Sequence, residues 1–194
     1  MSTRQQSRIL ERAAELAAGR GYRLAFGLVG NRHDAEESVS KALEVACAKV
    51  NSLPRRIWPW LATTITHEAR NLRRKAARRG PQEAWQDAPG EDKEDPLEKA
   101  LGRELYARLW QAFQGLSESE REILALVYLG GLSKRQAARE RGVALTTLRR
   151  EVDAALAKLR QQLGVSEQSL LLALPALVAI PSAGFVAGLG SNLG

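Results

Sequence analysis

The sequence predicts an all-α protein: two small helical domains joined by an acidic linker, followed by an apolar helical tail. Three observations carry this. There is no run of alternating β-branched residues, and apolar residues recur at helical spacings of three and four. Charge is partitioned along the chain: residues 1–80 carry 16 Lys/Arg against 7 Asp/Glu, 81–100 carry 2 against 7, and 101–164 carry 11 against 7. The acidic stretch GPQEAWQDAPGEDKEDP holds three prolines and two glycines without apolar periodicity, which reads as a tether. The expected boundaries are therefore a first domain at 1–80, a linker at 81–95, a second domain at 96–164 and a tail at 165–194.

In the first domain a helical stretch runs to about Val29, with a break expected near Gly19 and Gly21. Asn31 and Asp34 are start signals for the next helix, on which Val39, Leu43, Cys47 and Val50 form an apolar stripe. The loop NSLPRRIWP follows, with Pro54 and Pro59 expected to keep it out of a long helix. A third helix begins around Trp58–Trp60, with Leu61, Ile65 and Leu72 on one side. On its other side and at its end stand Arg70, Asn71, Arg73, Arg74, Lys75, Arg78 and Arg79. This basic helix reads two ways: core tryptophans with a solvated arginine face, or a nucleic-acid surface with guanidiniums on phosphates and an aromatic for unstacked bases. The two are compatible, since one tryptophan can be core while the other is exposed.

In the second domain Asp95-Pro96 is a helix start, and Leu97, Leu101, Leu105, Leu109 and Phe113 follow at four-residue spacing. Ser117–Glu120 is a capping box ahead of Ile123, Leu124, Leu126 and Val127, and Gly130-Gly131 stops that helix. Ser133 caps the short helix KRQAARER, Gly142 ends it, and a last helix runs from about Leu145 to Leu163. Ala138 at the crossing, Gly142 at the turn, and Val143 and Leu148 in the angle have the arithmetic of a helix-turn-helix; a plain helical hairpin is the alternative. Thr146, Thr147, Arg149 and Arg150 at the front of the last helix suit a major groove.

Composition narrows the function classes. With 44% hydrophobic and 26% charged residues the chain is neither a disordered tail nor a multi-span membrane protein, and 5% aromatics implies small aliphatic cores. Cys47 is the only cysteine, so internal disulfides are excluded. With His33 and His67 it completes the Cys/His supply, too few for an ordinary zinc site. The net charge of +7 favours a polyanionic partner. No nucleophile–base–orienter set is visible, so no enzyme and no cofactor are expected. Met1–Arg12 is polar and contains no apolar h-region, so a cytoplasmic chain is expected.

Three segments together resemble bacterial sigma factors of the extracytoplasmic-function group: DAEESVSKALEVACAKV (34–50), WPWLATTITHEARNLRRKAARR (58–79) and LSESEREILALVYLGGLSKRQAARERGVALTTLRREVDAALAKLR (116–160). The resemblance implies a region 2-like helical bundle and a region 4-like helix-turn-helix domain. It implies core RNA polymerase and promoter DNA as partners, an anti-sigma factor as a further one, and transcription initiation as the function. Residue by residue it places Asp34, Glu36, Glu37, Ser40 and Lys41 on core polymerase. Arg55 and Arg56 fall in the loop that captures a flipped base of the minus-ten element. Trp58, Trp60, Thr63, His67, Arg70, Asn71 and Arg74 would lie along the melted strand, with Arg73 a further DNA contact. Lys134 and Arg135 would touch phosphates, while Thr146, Thr147, Arg149 and Arg150 would read the minus-thirty-five element. The chain departs from the family pattern at Ser40, Thr64, His67, Arg141 and Glu151.

Leu170–Leu189 carries no charge, and as one helix would be about 30 Å long, enough to cross a bilayer. Pro175 and Pro181 interrupt it, so short helices folded back on a domain or docked on a partner, and a disordered remnant, are the other readings beside membrane contact. Two other functions are open on the sequence: a stand-alone helix-turn-helix regulator, and a membrane-tethered sigma-like interaction protein. Only the initiation factor needs polymerase for specific promoter contact.

Overall fold

The computed structural model describes residues 3–78 and 103–174, which fall in two compact units. All regular structure among the described residues is helical. The linker 81–95, the start at Asp95-Pro96 with Leu97 and Leu101, and the tail beyond Leu174 lie outside the described residues.

The first unit holds α1 (Thr3–Leu16), α2 (Tyr22–Val29), α3 (Arg32–Ala48) and α4 (Ile57–Arg78). Helices α2, α3 and α4 pack on one another, and α1 lies on α3 and α4. The expected break near Gly19 and Gly21 is instead a π-helical turn, Ala17–Gly21, through which the chain runs on from α1 into α2 in right-handed backbone. It is kept there by packing: a Cβ on Gly21 would stand 2.8 Å from Ile65 Cδ1 of α4. Gly30, at φ 85°, ends α2. Asn31 then caps α3, its side chain accepting from the Asp34 amide at 2.9 Å.

The stripe expected on α3 is rotated. Val39 is buried, but Leu43 and Val50 are half-buried and Cys47 is exposed; the packed face is Ala35, Ser38, Val39, Ala42 and Ala46. Helices α1, α2 and α4 approach α3 closely, and small side chains fill the seam. Pro59 does not end a loop but sits inside the first turn of α4, where the missing N–H removes no intrahelical bond. Ile57, Leu61, Ala62, Ile65, Ala69 and Leu72 make the buried face of α4.

The second unit holds α5 (Arg103–Gln114), α6 (Glu118–Leu124), α7 (Lys134–Arg141), α8 (Leu145–Leu163) and α9 (Glu167–Ala173). Helix α8 is its spine, with α5, α6, α7 and α9 all packed against it. Leu148, Val152, Ala155, Leu156, Leu159 and Leu163 form its buried face, meeting Leu109, Phe113, Ile123 and Leu124 in the core. The capping box of α6 is formed, and the helix continues through a π-helical turn, Ala125–Leu129, before Gly130 and Gly131. Arg121 is buried, its guanidinium donating to the Gln114 carbonyl at 2.7 Å and so closing the end of α5.

Candidate nucleic-acid interface

On α4 the packed residues leave one outward row. Trp60, Thr63, His67, Arg70, Asn71 and Arg74 recur at three- and four-residue steps, directly opposite Leu61, Ile65, Ala69 and Leu72. His67, Asn71 and Arg74 are exposed, and Trp60, Thr63 and Arg70 half-buried. Thr63 and Thr64 donate to the carbonyls of Pro59 and Trp60, both at 3.0 Å. The exposed Arg78 extends the row by one turn; it stood in the basic run but outside the implied site. The result is a strip with an aromatic at one end and guanidiniums at the other, able to hold phosphates and stack a base.

Two expected members do not join it. Arg73 points to the packed side, where its guanidinium donates to the Leu28 carbonyl at 2.9 Å. It closes the last turn of α2, where a cation also suits the helix dipole. Trp58 likewise falls on the packing side of the first turn and is half-buried. Arg55 and Arg56 are exposed on the loop before α4.

On α3 the expected docking residues form a mixed-charge face. Asp34 is half-buried and spends its carboxylate on the Asn31 side chain, at 2.9 Å. Arg32 bonds Glu36 at 2.8 Å. Lys41 donates to Glu37, and this bond chiefly holds the Glu37 carboxyl below its usual range and the Lys41 ammonium above its own. Ser40 is exposed beside them. Ligand atoms of His33, Asp34 and Glu37 lie within 4.8 Å of one another. Both carboxylates already have partners, and the Lys41 ammonium opposes a cation, so the cluster is a capped helix start rather than a metal centre.

In the second unit α7 and α8 form a helix-turn-helix. Ser133 and Gln136 make a reciprocal capping box at the start of α7. Gly142 ends it at φ 66°, in the left-handed region that favours glycine, and the Val143 amide bonds the Ala138 carbonyl at 3.0 Å. Leu148 is fully buried in the angle. Outward from α8 stand Thr146, Arg149 and Arg150, all exposed, with Thr147 half-buried at the side. No hydrogen bond or ion pair among the described residues engages Arg149 or Arg150. Ala144 gives the first turn of α8 no side-chain cap. Arg135 is exposed on α7, whereas Lys134 lies 3.6 Å from Asp153 of α8. Sequence reasoning passed over Asp153. Its place three residues after Arg150 and seven after Thr146 was the available signal.

One departure, Arg141, has a clear structural role. Arg141 donates to the Ser119 hydroxyl at 3.0 Å, tying the end of α7 to the start of α6. Glu151 leaves one carboxylate oxygen buried without a hydrogen-bond partner. Lys158 bonds Glu120 at 2.9 Å, which with the Ser117 contacts keeps that carboxyl below its usual range.

The apolar tail begins in the core. Ser166 caps α9, and Leu170, Ala173 and Leu174 are buried, while Leu172 is 76% exposed. No helix among the described residues is long and apolar enough to cross a membrane. The continuation of the apolar run lies outside the described residues.

Comparison with known proteins bears on both units. The family model "Sigma-70, region 4" matches residues 106–159. No curated protein sequence matches the chain. Among solved structures, the sigma factor RpoE in complex with the anti-sigma factor NepR from Bartonella quintana is similar, with a TM-score of 0.62 and 23% identity; the match covers 82% of this chain and 97% of that one. CnrH in complex with the cytosolic domain of CnrY gives a TM-score of 0.57 and 20% identity, covering 84% of this chain and 90% of that one. Residues 106–159 thus match a sigma-70 region 4, and the chain shares its two-unit helical fold with solved sigma factors.

Proposed function

We propose that the chain is a transcription initiation factor that binds core RNA polymerase and directs it to particular promoters. The observation that carries this is the α7–Gly142–α8 helix-turn-helix, inside the region 4 match, presenting Arg149 and Arg150 exposed and, among the described residues, unpaired. In this reading the unit at 3–78 docks on polymerase through the α3 face of Asp34, Glu36, Glu37, Ser40 and Lys41. Its α4 row, Trp60 to Arg74, then holds the melted strand of the minus-ten element. Opening the duplex costs a few kcal/mol per unstacked base, and capture of the extruded base offsets it. The second unit reads the minus-thirty-five element in the major groove. The chain works by binding and positioning, in the cytoplasm, and turns over no substrate.

Support for a protein antagonist comes from the two solved relatives, one held by an anti-sigma factor and one by the cytosolic domain of CnrY. We extend that partner class to this chain. The tail is the candidate regulatory element: Leu170 and Leu174 favour contact within the second unit over membrane contact for its first turns.

The test is gel filtration of the full chain with bacterial core polymerase, followed by transcription from host DNA fragments. Co-elution with new, defined start sites is expected. A footprint on duplex DNA without polymerase, and no initiation with it, would replace this reading with a stand-alone regulator. Deleting residues 166–194 is expected to change polymerase binding or membrane fractionation; if it changes neither, the tail has no regulatory role.

A further inference from the structure

Thr146, Arg150 and Asp153 stand in one exposed row on α8, at i, i+4 and i+7, outside the Leu148–Val152–Leu159 core face. The row spans about 10 Å of helix, less than the roughly 12 Å width of a major groove. A helix that inserts Thr146 and Arg150 therefore carries the Asp153 carboxylate in with them. That carboxylate is 70% exposed, and its partner Lys134, at the start of α7, lies 3.6 Å away. A surface pair at this distance contributes little to stability, so fold maintenance does not account for an acid here. On a face that meets phosphates, an acid weakens binding unless a donor on a base edge meets it. The one pyrimidine donor in the major groove is the cytosine N4 amino group, which Asp accepts from.

We infer that Asp153 is a specificity-determining residue that accepts from a cytosine N4 amino group in the DNA read by α8, with Lys134 offsetting its charge against the phosphates. The inference rests on the proposed reading of the second unit. It assigns Asp153 to direct base readout and Lys134 to backbone positioning.

The experiment uses the full chain assembled with core polymerase and a promoter library randomised across the upstream element. The unsubstituted holoenzyme should prefer cytosine at one position by roughly tenfold, the cost of one mismatched contact. D153A should lose that preference at that position alone. D153N should move it toward adenine, whose N6 and N7 match an amide. K134A should weaken binding evenly across the library and reduce its salt dependence, leaving the preference intact. Exposure of Asp153 means that melting of D153A should match the unsubstituted chain. Even tightening by D153A with unchanged preference would overturn the assignment, leaving the acid as a brake on affinity; no change in either would overturn it as well. If the unsubstituted holoenzyme selects no upstream element at all, the proposed function fails first and takes this inference with it.

Discussion

The two units solve the same packing problem with different side chains. The unit at 3–78 is seamed by small residues: Ala13, Ala17, Ala18, Ala25, Ala35, Ala42, Ala46, Ala62 and Ala69 are all buried. The unit at 103–174 buries a larger share of large ones, among them Leu109, Phe113, Leu116, Ile123, Leu124, Leu148, Leu156, Leu159 and Leu170, where the first unit sets Leu24, Phe26, Leu61 and Ile65 among its alanines. Alanine seams let helices approach closely. They gain little apolar burial per residue, so that unit depends on closeness of fit. A leucine core gains more burial per residue and depends on volume being present. The first should therefore be damaged most by adding atoms and the second by removing them.

The largest expected effect is truncation in the second unit. Leu159 is fully buried on the spine helix α8. L159A should cost about 2–5 kcal/mol, the range for a leucine cavity in a core that cannot collapse. Denaturant unfolding gives the size, and hydrogen exchange should place the lost protection in α5–α8 while α2–α4 keep theirs. Lost protection spread evenly over both units would break the comparison.

A smaller effect, of opposite cause, belongs to the first unit. The Cβ added by G21A would meet Ile65 Cδ1 at 2.8 Å, and Ile65 is fully buried with no free side to turn to. The gain in helix propensity is below about 1 kcal/mol. Overpacking costs about 1–3 kcal/mol, so the net should be a loss. Ile65→Val removes the clashing methyl group, and G21A with Ile65→Val should be less destabilised than the sum of the two single changes. Simple additivity would show that the close approach of the π-helical turn to α4 is not what limits this seam.

What could be read from the sequence follows the same division. The helix-turn-helix was legible because every local signal agreed: Ser133 with Gln136, Gly142, and leucines at 148, 156 and 159 on one face. The α3 stripe was misread because alanine weighs little in any apolar count, so Leu43 and Cys47 outvoted Ala35, Ala42 and Ala46. On α4 periodicity gave the outward Arg70, Asn71 and Arg74 once Leu61, Ile65 and Leu72 fixed the inner face, while Trp60, Thr63 and His67 came from the family resemblance. Neither placed Arg73, since its role is set by the carbonyl of Leu28, 45 residues earlier. Asp153 was passed over for a different reason: a search for cations on a DNA-facing helix ignores an acid that lies among them.

The smallest expected effect separates charge from packing. Glu37 in the first unit and Glu120 in the second both sit below their usual range, held chiefly by Lys41 and Lys158. A carboxylate so depressed adds stability that is present above its unfolded value, near 4.5, and is lost as pH falls through the folded one. Both units should therefore weaken as pH drops below about 4.5, modestly, because both pairs are near the surface and screened by salt. E120Q keeps the N3 residue of the capping box able to bond Ser117 while removing the charge that Lys158 answers. It should lower stability at neutral pH and flatten the acid limb of the second unit alone. E37Q should do the same for the first, by less, because Glu37 has no serine cap beside its lysine. If E120Q leaves the slope of stability against pH unchanged between about 5 and 3, the depression of Glu120 is no part of what holds α6 to α8, and the leucine core alone holds that junction.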